Sequence, residues 1–164
     1  MTVQAAAEAA GEYACPLVEI TSGEPLLQKD TPALAGALIR SGKTVLVETN
    51  GTLPVTALPE EAIRIMDIKC PGSGASEKTD WSNIRHLRQT DNVKFVLTGR
   101  PDYDWAGRII SQYRLADRAA VLLSPVEPAL TCADLAAWIL ADHLPVRLQP
   151  QLHKWIWPDE QKGR

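Results

Sequence analysis

The chain has 164 residues, about the size of one domain. Apolar residues make up 45% and charged residues 23% of it, which excludes a disordered, collagen-like or coiled-coil chain. Seventeen basic residues against 20 acidic ones leave a net charge of −3 with no basic run, so sequence-blind nucleic-acid binding is not expected. No apolar stretch approaches the roughly 20 residues that span a bilayer. The opening MTVQAAAEAAGEY lacks the basic n-region of a secretory signal. Cys15, Cys70 and Cys132 are odd in number and widely spaced, so no disulfide framework is indicated and a reduced, cytoplasmic protein is expected.

In chain order, residues 2–14 read as an Ala-rich helix beginning at Thr2. Six short runs rich in Val, Ile and Leu follow: LVEIT (17–21), TVLVET (44–49), IRIMDIK (63–69), VKFVL (93–97), AVLLS (120–124) and VRLQ (146–149). Each has the length of a strand buried on both faces. Helical patterns lie between most of them. Residues 31–41 begin with a Thr-Pro pair and stop at Gly42. Residues 102–114 open on Asp102, and residues 131–142 open on Thr131 with Asp134 three places later, a variant capping box. This alternation predicts one α/β domain over 1–164 with a parallel sheet. Periodicity alone leaves open whether the sheet closes into a barrel.

Polar residues collect where the strands end. These are Thr21-Ser22-Gly23-Glu24-Pro25, Glu48-Thr49-Asn50-Gly51-Thr52, Asp67-Ile68-Lys69-Cys70 with the turn Pro71-Gly72-Ser73-Gly74, Ser124-Pro125, and Gln149, Gln151 and His153. In parallel α/β folds the carboxyl ends of the strands share one rim, where ligands bind. Each turn is also explicable as a turn, since Gly, Asn, Ser and Thr are what turns need. Glu48, Asp67 and Lys69 weigh against that plain reading, because an unpaired charge inside a strand end is costly. Glu24 suits capture of an ammonium, and Gly72-Ser73-Gly74 suits an anion held on backbone amides. Asp67 and Lys69 read as a structural ion pair, or Lys69 as an amine nucleophile. Trp81, Trp105 and Trp138 read as residues packing onto the sheet. Gln151 to Trp157 combines amides, an imidazole and two aromatics, which suits either a flat heterocycle or a terminal segment pinned on the core.

Six collinear motifs carry a resemblance. They are Val18 to Gln28, Glu48 to Thr52, Asp67 to Gly74, Lys94-Phe95-Val96, Ser124-Pro125-Val126 and Arg147 to Lys154. Together they resemble 7-carboxy-7-deazaguanine synthase, a family of the radical S-adenosylmethionine superfamily. The resemblance implies a partial TIM-like barrel and a carbon–nitrogen lyase that uses S-adenosylmethionine, a [4Fe-4S] cluster and magnesium. In that family a 5′-deoxyadenosyl radical acts on 6-carboxy-5,6,7,8-tetrahydropterin, and ring contraction releases ammonia and 7-carboxy-7-deazaguanine, on the route to queuosine. It further implies a homodimer and an external electron donor. By position, Gly23, Glu24, Glu48, Asn50, Cys70, Pro71 and Gly72 resemble the cofactor-binding residues, and Thr21, Gln151 and His153 the substrate-binding ones. The catalytic residues are not assigned.

The chain departs from the family pattern at two points. The usual first turn begins with two glycines, whereas Ser22 stands at the first here, a strain of about 1 kcal/mol or more if that position needs a positive φ. The family's cluster loop of three close cysteines precedes the helix with which this chain opens. The expected fold is therefore that barrel without its first strand, with no metal ligand among these residues. Two further readings stay open: a cluster-less module that binds a nucleoside or pterin without catalysis, and an aldolase-like enzyme using Lys69 as a Schiff-base amine.

Overall fold

Six parallel strands form one sheet, and their order across it is their order in the chain. The computed structural model describes residues 1–21 and 23–157. The elements are α1 (Val3–Gly11), β1 (Leu17–Ile20), α2 (Thr31–Arg40), β2 (Thr44–Thr49), β3 (Ile63–Ile68), β4 (Asn92–Leu97), α3 (Arg100–Tyr113), β5 (Ala120–Pro125), α4 (Cys132–Ala141), β6 (Arg147–Leu148) and α5 (Leu152–Ile156). Neighbouring strands pair in register, for example Val18 with Val45 and Asp67 with Lys94. The expected α/β class and parallel sheet are thus observed. Among the described residues no helix is long and apolar enough to cross a membrane.

The strands differ from the expectation of burial on both faces. Val45 and Val47, Met66 and Ile68, Val93, Phe95 and Leu97, and Val121 and Leu123 are fully buried. Their alternates Leu46, Glu48, Ile65, Lys94 and Leu122 are half-buried. A strand turns successive side chains to opposite faces, so the sheet has one packed face and one partly open face. The apolar runs look continuous only because the open face keeps Leu and Ile between its charged residues.

The packed face is built on two clusters. The larger joins β3, β4 and β5 to α3 and α4 through Phe95, Tyr103, Ala106, Ile110 and Leu135. Trp81, Trp105 and Trp138 pack against it, as their sequence positions suggest. Trp81 stacks on Tyr113 at 4.7 Å, and Trp105 meets Phe95 edge-on at 6.2 Å. The smaller cluster sets α1 and α2 against Val45 and Val47. The connections from β2 to β3 and from β3 to β4 are short 3-10 turns rather than helices.

Side chains cap α1 and α4, while Asp30 before α2, Gly99 before α3 and Gln151 before α5 make no such bond. Thr31 lies inside α2, with its hydroxyl donating to the Pro25 carbonyl. Thr2 Oγ1 accepts from Ala5 N and caps α1. Thr131 Oγ1 accepts from Asp134 N at 3.1 Å and caps α4, and it donates to Asp134 Oδ2 at 2.7 Å, so the expected box is formed through the hydroxyl rather than the Thr131 amide. α3, however, begins at Arg100 after an N-cap at Gly99, so Asp102 lies inside its first turn. Its carboxylate is engaged elsewhere, as described below.

At the amino ends of the strands, Asp91 holds the sheet together from a fully buried position. It accepts from Arg64 N at 3.0 Å, Arg88 N at 2.9 Å and Arg88 Nη2 at 3.0 Å. Arg88 in turn donates to the carbonyls of Glu60 and Ala62. Burial opposes the Asp91 charge, but the hydrogen bonds from Arg88 and Arg64 outweigh it and hold the carboxyl below its usual range. A folded pKa below the unfolded one gives stability that is complete above the unfolded value and is lost as pH falls through the folded value. Asp91→Asn is expected to cost about 3 kcal/mol at neutral pH, because it leaves Arg64 buried without its counter-charge. Denaturant melts between pH 7 and pH 3 check this, since the variant should also lose less stability below about pH 4 than the parent does.

Candidate active-site cleft and rim

The open face of the sheet carries a cleft of about 470 Å³. Glu19 of β1, Glu48 of β2, Lys94 of β4 and Ser124 of β5 line it, and Gln149, Gln151 and His153 reach it from the chain beyond β6. Lys94 Nζ donates to Glu48 Oε1 at 2.8 Å, crossing above β3. Both side chains are about one-fifth exposed, which makes this ion pair firmer than a surface one. Burial first, and then the like charge of Glu48, push the Glu19 carboxyl up, while Lys94 opposes the shift. The cleft therefore holds two neighbouring acids, one of them ion-paired with an ammonium, beside amides and an imidazole. Such a set receives N–H donors on its carboxylates and an anion or carbonyl on its lysine.

The first rim turn is organised by Glu24. Its Oε1 accepts from Leu26 N at 2.9 Å, its Oε2 from Asn50 N at 2.7 Å, and Thr49 Oγ1 lies 2.9 Å from both oxygens. The carboxylate thus ties the β1 turn to the end of β2 through three donors. Gly23 stands exposed beside it at φ +57°, a conformation that favours glycine. Ser22 lies outside the described residues. Asn50 Oδ1 accepts from Thr52 N and closes an Asx turn. Asn83, buried under the same turn, donates to the carbonyls of Gly51 and Leu53.

At the end of β3, Lys69 is ion-paired with Asp67, as one of the two sequence readings has it. An ammonium held by a carboxylate is not a free amine, and nothing in this geometry supports the Schiff-base reading. Asp67 Oδ1 is buried and has no hydrogen-bond partner. In the following turn Gly72 N donates to Asp102 Oδ1 at 2.9 Å, Ser73 N to the Cys70 carbonyl and Gly74 N to the Pro71 carbonyl. All three amides are used internally, so the Gly-rich turn is not an anion cradle. Cys70 is buried, and burial, then the charges of Asp102 and Asp67, push its thiol up to about 12.

The structure brings together Glu48, Gln151 and His153 in the cleft, and Gly23, Glu24 and Asn50 at the first rim turns. Cys70, Pro71 and Gly72 form the rim turn after β3. Thr21 instead lines a separate hollow of about 300 Å³ with Thr2, Val3 and Gln28. The Trp155 side chain lies outside the described residues. Glu19 and Lys94 were not singled out by the sequence reading of sites. Their signal was a charge at an alternate position of an apolar strand, and it became legible only with the strand register. Glu24→Gln is expected to destabilise the fold by about 2 kcal/mol, since one acceptor oxygen becomes a donor facing donors, and urea melts check this.

Comparison with known proteins completes the picture. The chain is 39% identical over 161 residues to the 7-carboxy-7-deazaguanine synthase of Koribacter versatilis, covering 90% of this chain and 71% of that protein. It is 38% identical over 154 residues to the enzyme of the same name from Chlorobaculum tepidum, covering 92% of this chain and 70% of the relative. Among solved structures it is similar to the crystal structure of QueE from Escherichia coli, with a TM-score of 0.70 and 21% identity, over 92% of this chain and 64% of that one. That last likeness speaks for the fold. No protein-family model matches the chain. Two relatives near 40% identity over nine-tenths of its length place the chain in the 7-carboxy-7-deazaguanine synthase family.

Proposed function

We propose that the chain is the pterin- and nucleoside-binding body of a 7-carboxy-7-deazaguanine synthase, working on 6-carboxy-5,6,7,8-tetrahydropterin. The observation that carries this reading is the cleft with Glu19, Glu48, Lys94, Gln151 and His153 on its walls. A pterin presents N–H donors on its pyrimidine edge, and the acid pair accepts them. Its oxo and carboxylate groups require a cation, which Lys94 supplies. His153 and Gln151 stand where they hold the ring and exclude water.

S-adenosylmethionine fits the rim in chemical type. The exposed Gly23 backbone, Asn50, the half-exposed Lys69 and the Cys70-Pro71-Gly72 turn offer it acceptors, a cation and an apolar wall. Bound there, it would supply the hydrogen-abstracting chemistry of the family only with an electron from a reduced iron–sulfur cluster. The chain's own residues bind and orient: Glu24 and Asn83 keep the β1 and β2 turns open, and Lys94 and Glu48 fix the substrate ring over the sheet.

The [4Fe-4S] cluster does not fit these residues. Cys15 precedes β1, Cys70 is buried after β3 and Cys132 begins α4. Among the described residues no group of three His, Cys, Asp or Glu is placed to hold a metal. A cluster needs neighbouring thiolates, and these three separated cysteines do not provide them. The same observation favours, as a second reading, a module that binds without catalysis. Both readings predict that anaerobic reconstitution of this chain yields far fewer than about four irons per chain, and a stable brown holoprotein would contradict that.

Binding is tested with 6-carboxypterin as a fluorescent probe. The expected result is saturable quenching by the parent chain, weakened about tenfold or more in Glu48→Gln and in Lys94→Met, because each removes a charge-assisted hydrogen bond. Equal binding by parent and variants would remove the cleft from the reading.

A further inference from the structure

We propose that Asp102 is the positioning residue for the rim turn Cys70-Pro71-Gly72, fixing the cofactor-facing end of β3 against the start of α3. The inference rests on the reading of that turn as the cofactor wall, and it adds a residue from a different segment of the chain.

Asp102 is 3% exposed and accepts three hydrogen bonds from two separate loops. Its Oδ1 takes Gly72 N at 2.9 Å, and its Oδ2 takes Thr98 N at 3.0 Å and Thr98 Oγ1 at 2.6 Å. The turn after β3 and the turn after β4 are thereby stapled to one carboxylate at the head of a helix, where the aligned peptide dipoles favour a negative charge. Burial acts against that charge, and the bonds from Thr98 and Gly72 outweigh it, so the group stays ionised.

Gly72 records the same contact from the other side. A Cβ added there would lie 2.6 Å from Asp102 Oδ2 and 2.7 Å from Thr98 Oγ1. Glycine is required because the turn is pressed onto the carboxylate, without any ligand having to approach it. The remaining amides of the turn bond only within it. Without Asp102 the turn would keep its local shape and lose its tie to the next strand-helix unit. Cys70 and Pro71 would then move as a loose flap.

The test uses D102N in a Cys15→Ser/Cys132→Ser background, so that Cys70 is the thiol observed. Hydrogen exchange at Gly72 to Gly74, reaction of Cys70 with an aromatic disulfide reagent, and calorimetric titration with S-adenosylmethionine are followed together. Expected are exchange and thiol reaction about tenfold faster, as loss of a charge-assisted hydrogen bond implies, with α1 and β1 amides unchanged. Gly72→Ala keeps the carboxylate but drives the turn off it, and should raise Cys70 reactivity likewise, which guards against a general folding defect of D102N. Unchanged exchange and thiol reaction in both variants would overturn the proposal. Absence of S-adenosylmethionine binding by the parent would instead overturn the cofactor reading of the rim, leaving exchange to judge Asp102. If the parent binds, a roughly tenfold weaker titration in D102N at an unchanged thiol count supports positioning. Equal affinity would overturn it.

Discussion

The carboxylate of Glu24, buried between two strand ends, is the constraint on which the rim depends. A parallel sheet satisfies its own backbone groups along the strands but leaves the turns beyond them without partners. Each turn must then be held by something, and here buried polar side chains from a neighbouring segment hold it. Glu24 reaches from the β1 turn to Thr49 and Asn50. Asn83 reaches from a 3-10 turn to Gly51, Leu53 and Val55. Asp102 reaches from α3 to Gly72 and Thr98. Each bond to a buried ionised acceptor contributes about 1.5–3 kcal/mol, enough that each turn has one arrangement.

This bracing separates two kinds of polar residue that look alike in sequence. Glu24 and Glu48 both follow apolar runs, and both carry carboxylates near a strand end. Glu24 points into the protein and accepts from backbone amides and the Thr49 hydroxyl, whereas Glu48 lies on the open face between Lys94 and Glu19. The first kind fixes the shape of the rim, and the second kind leaves charge on the open face. A substitution at Glu24 removes several bonds that hold the fold, whereas one at Glu48 removes a single ion pair.

The class of fold was legible because strand and helix periods differ and because parallel strands need crossovers. Thr2, Thr131 and Gly42 marked helix ends for the same local reason. Asp102 misled for an equally physical reason: an acid in a first turn looks like a cap, yet Gly99 had taken that place and freed the carboxylate for a long-range bond. Burial on both faces failed because Leu46, Ile65 and Leu122 are apolar whether or not a helix covers them. Glu19 and Lys94 stand in the sequence only as members of family motifs and not as a site, since they lie 75 positions apart in the chain and share a cleft only through the register of four strands.

The cysteines complete the separation between scaffold and chemistry. Cys70 is a buried thiol whose neighbours Asp102 and Asp67 oppose a second negative charge. A thiolate ligand needs the opposite surroundings, with cations or metal nearby and access from solvent. What fits Cys70 is a small apolar wall under the rim turn, packed with Met66 and Ile68. The local electrostatics therefore mark Cys70 as part of the scaffold under the rim turn, a buried thiol and not a thiolate.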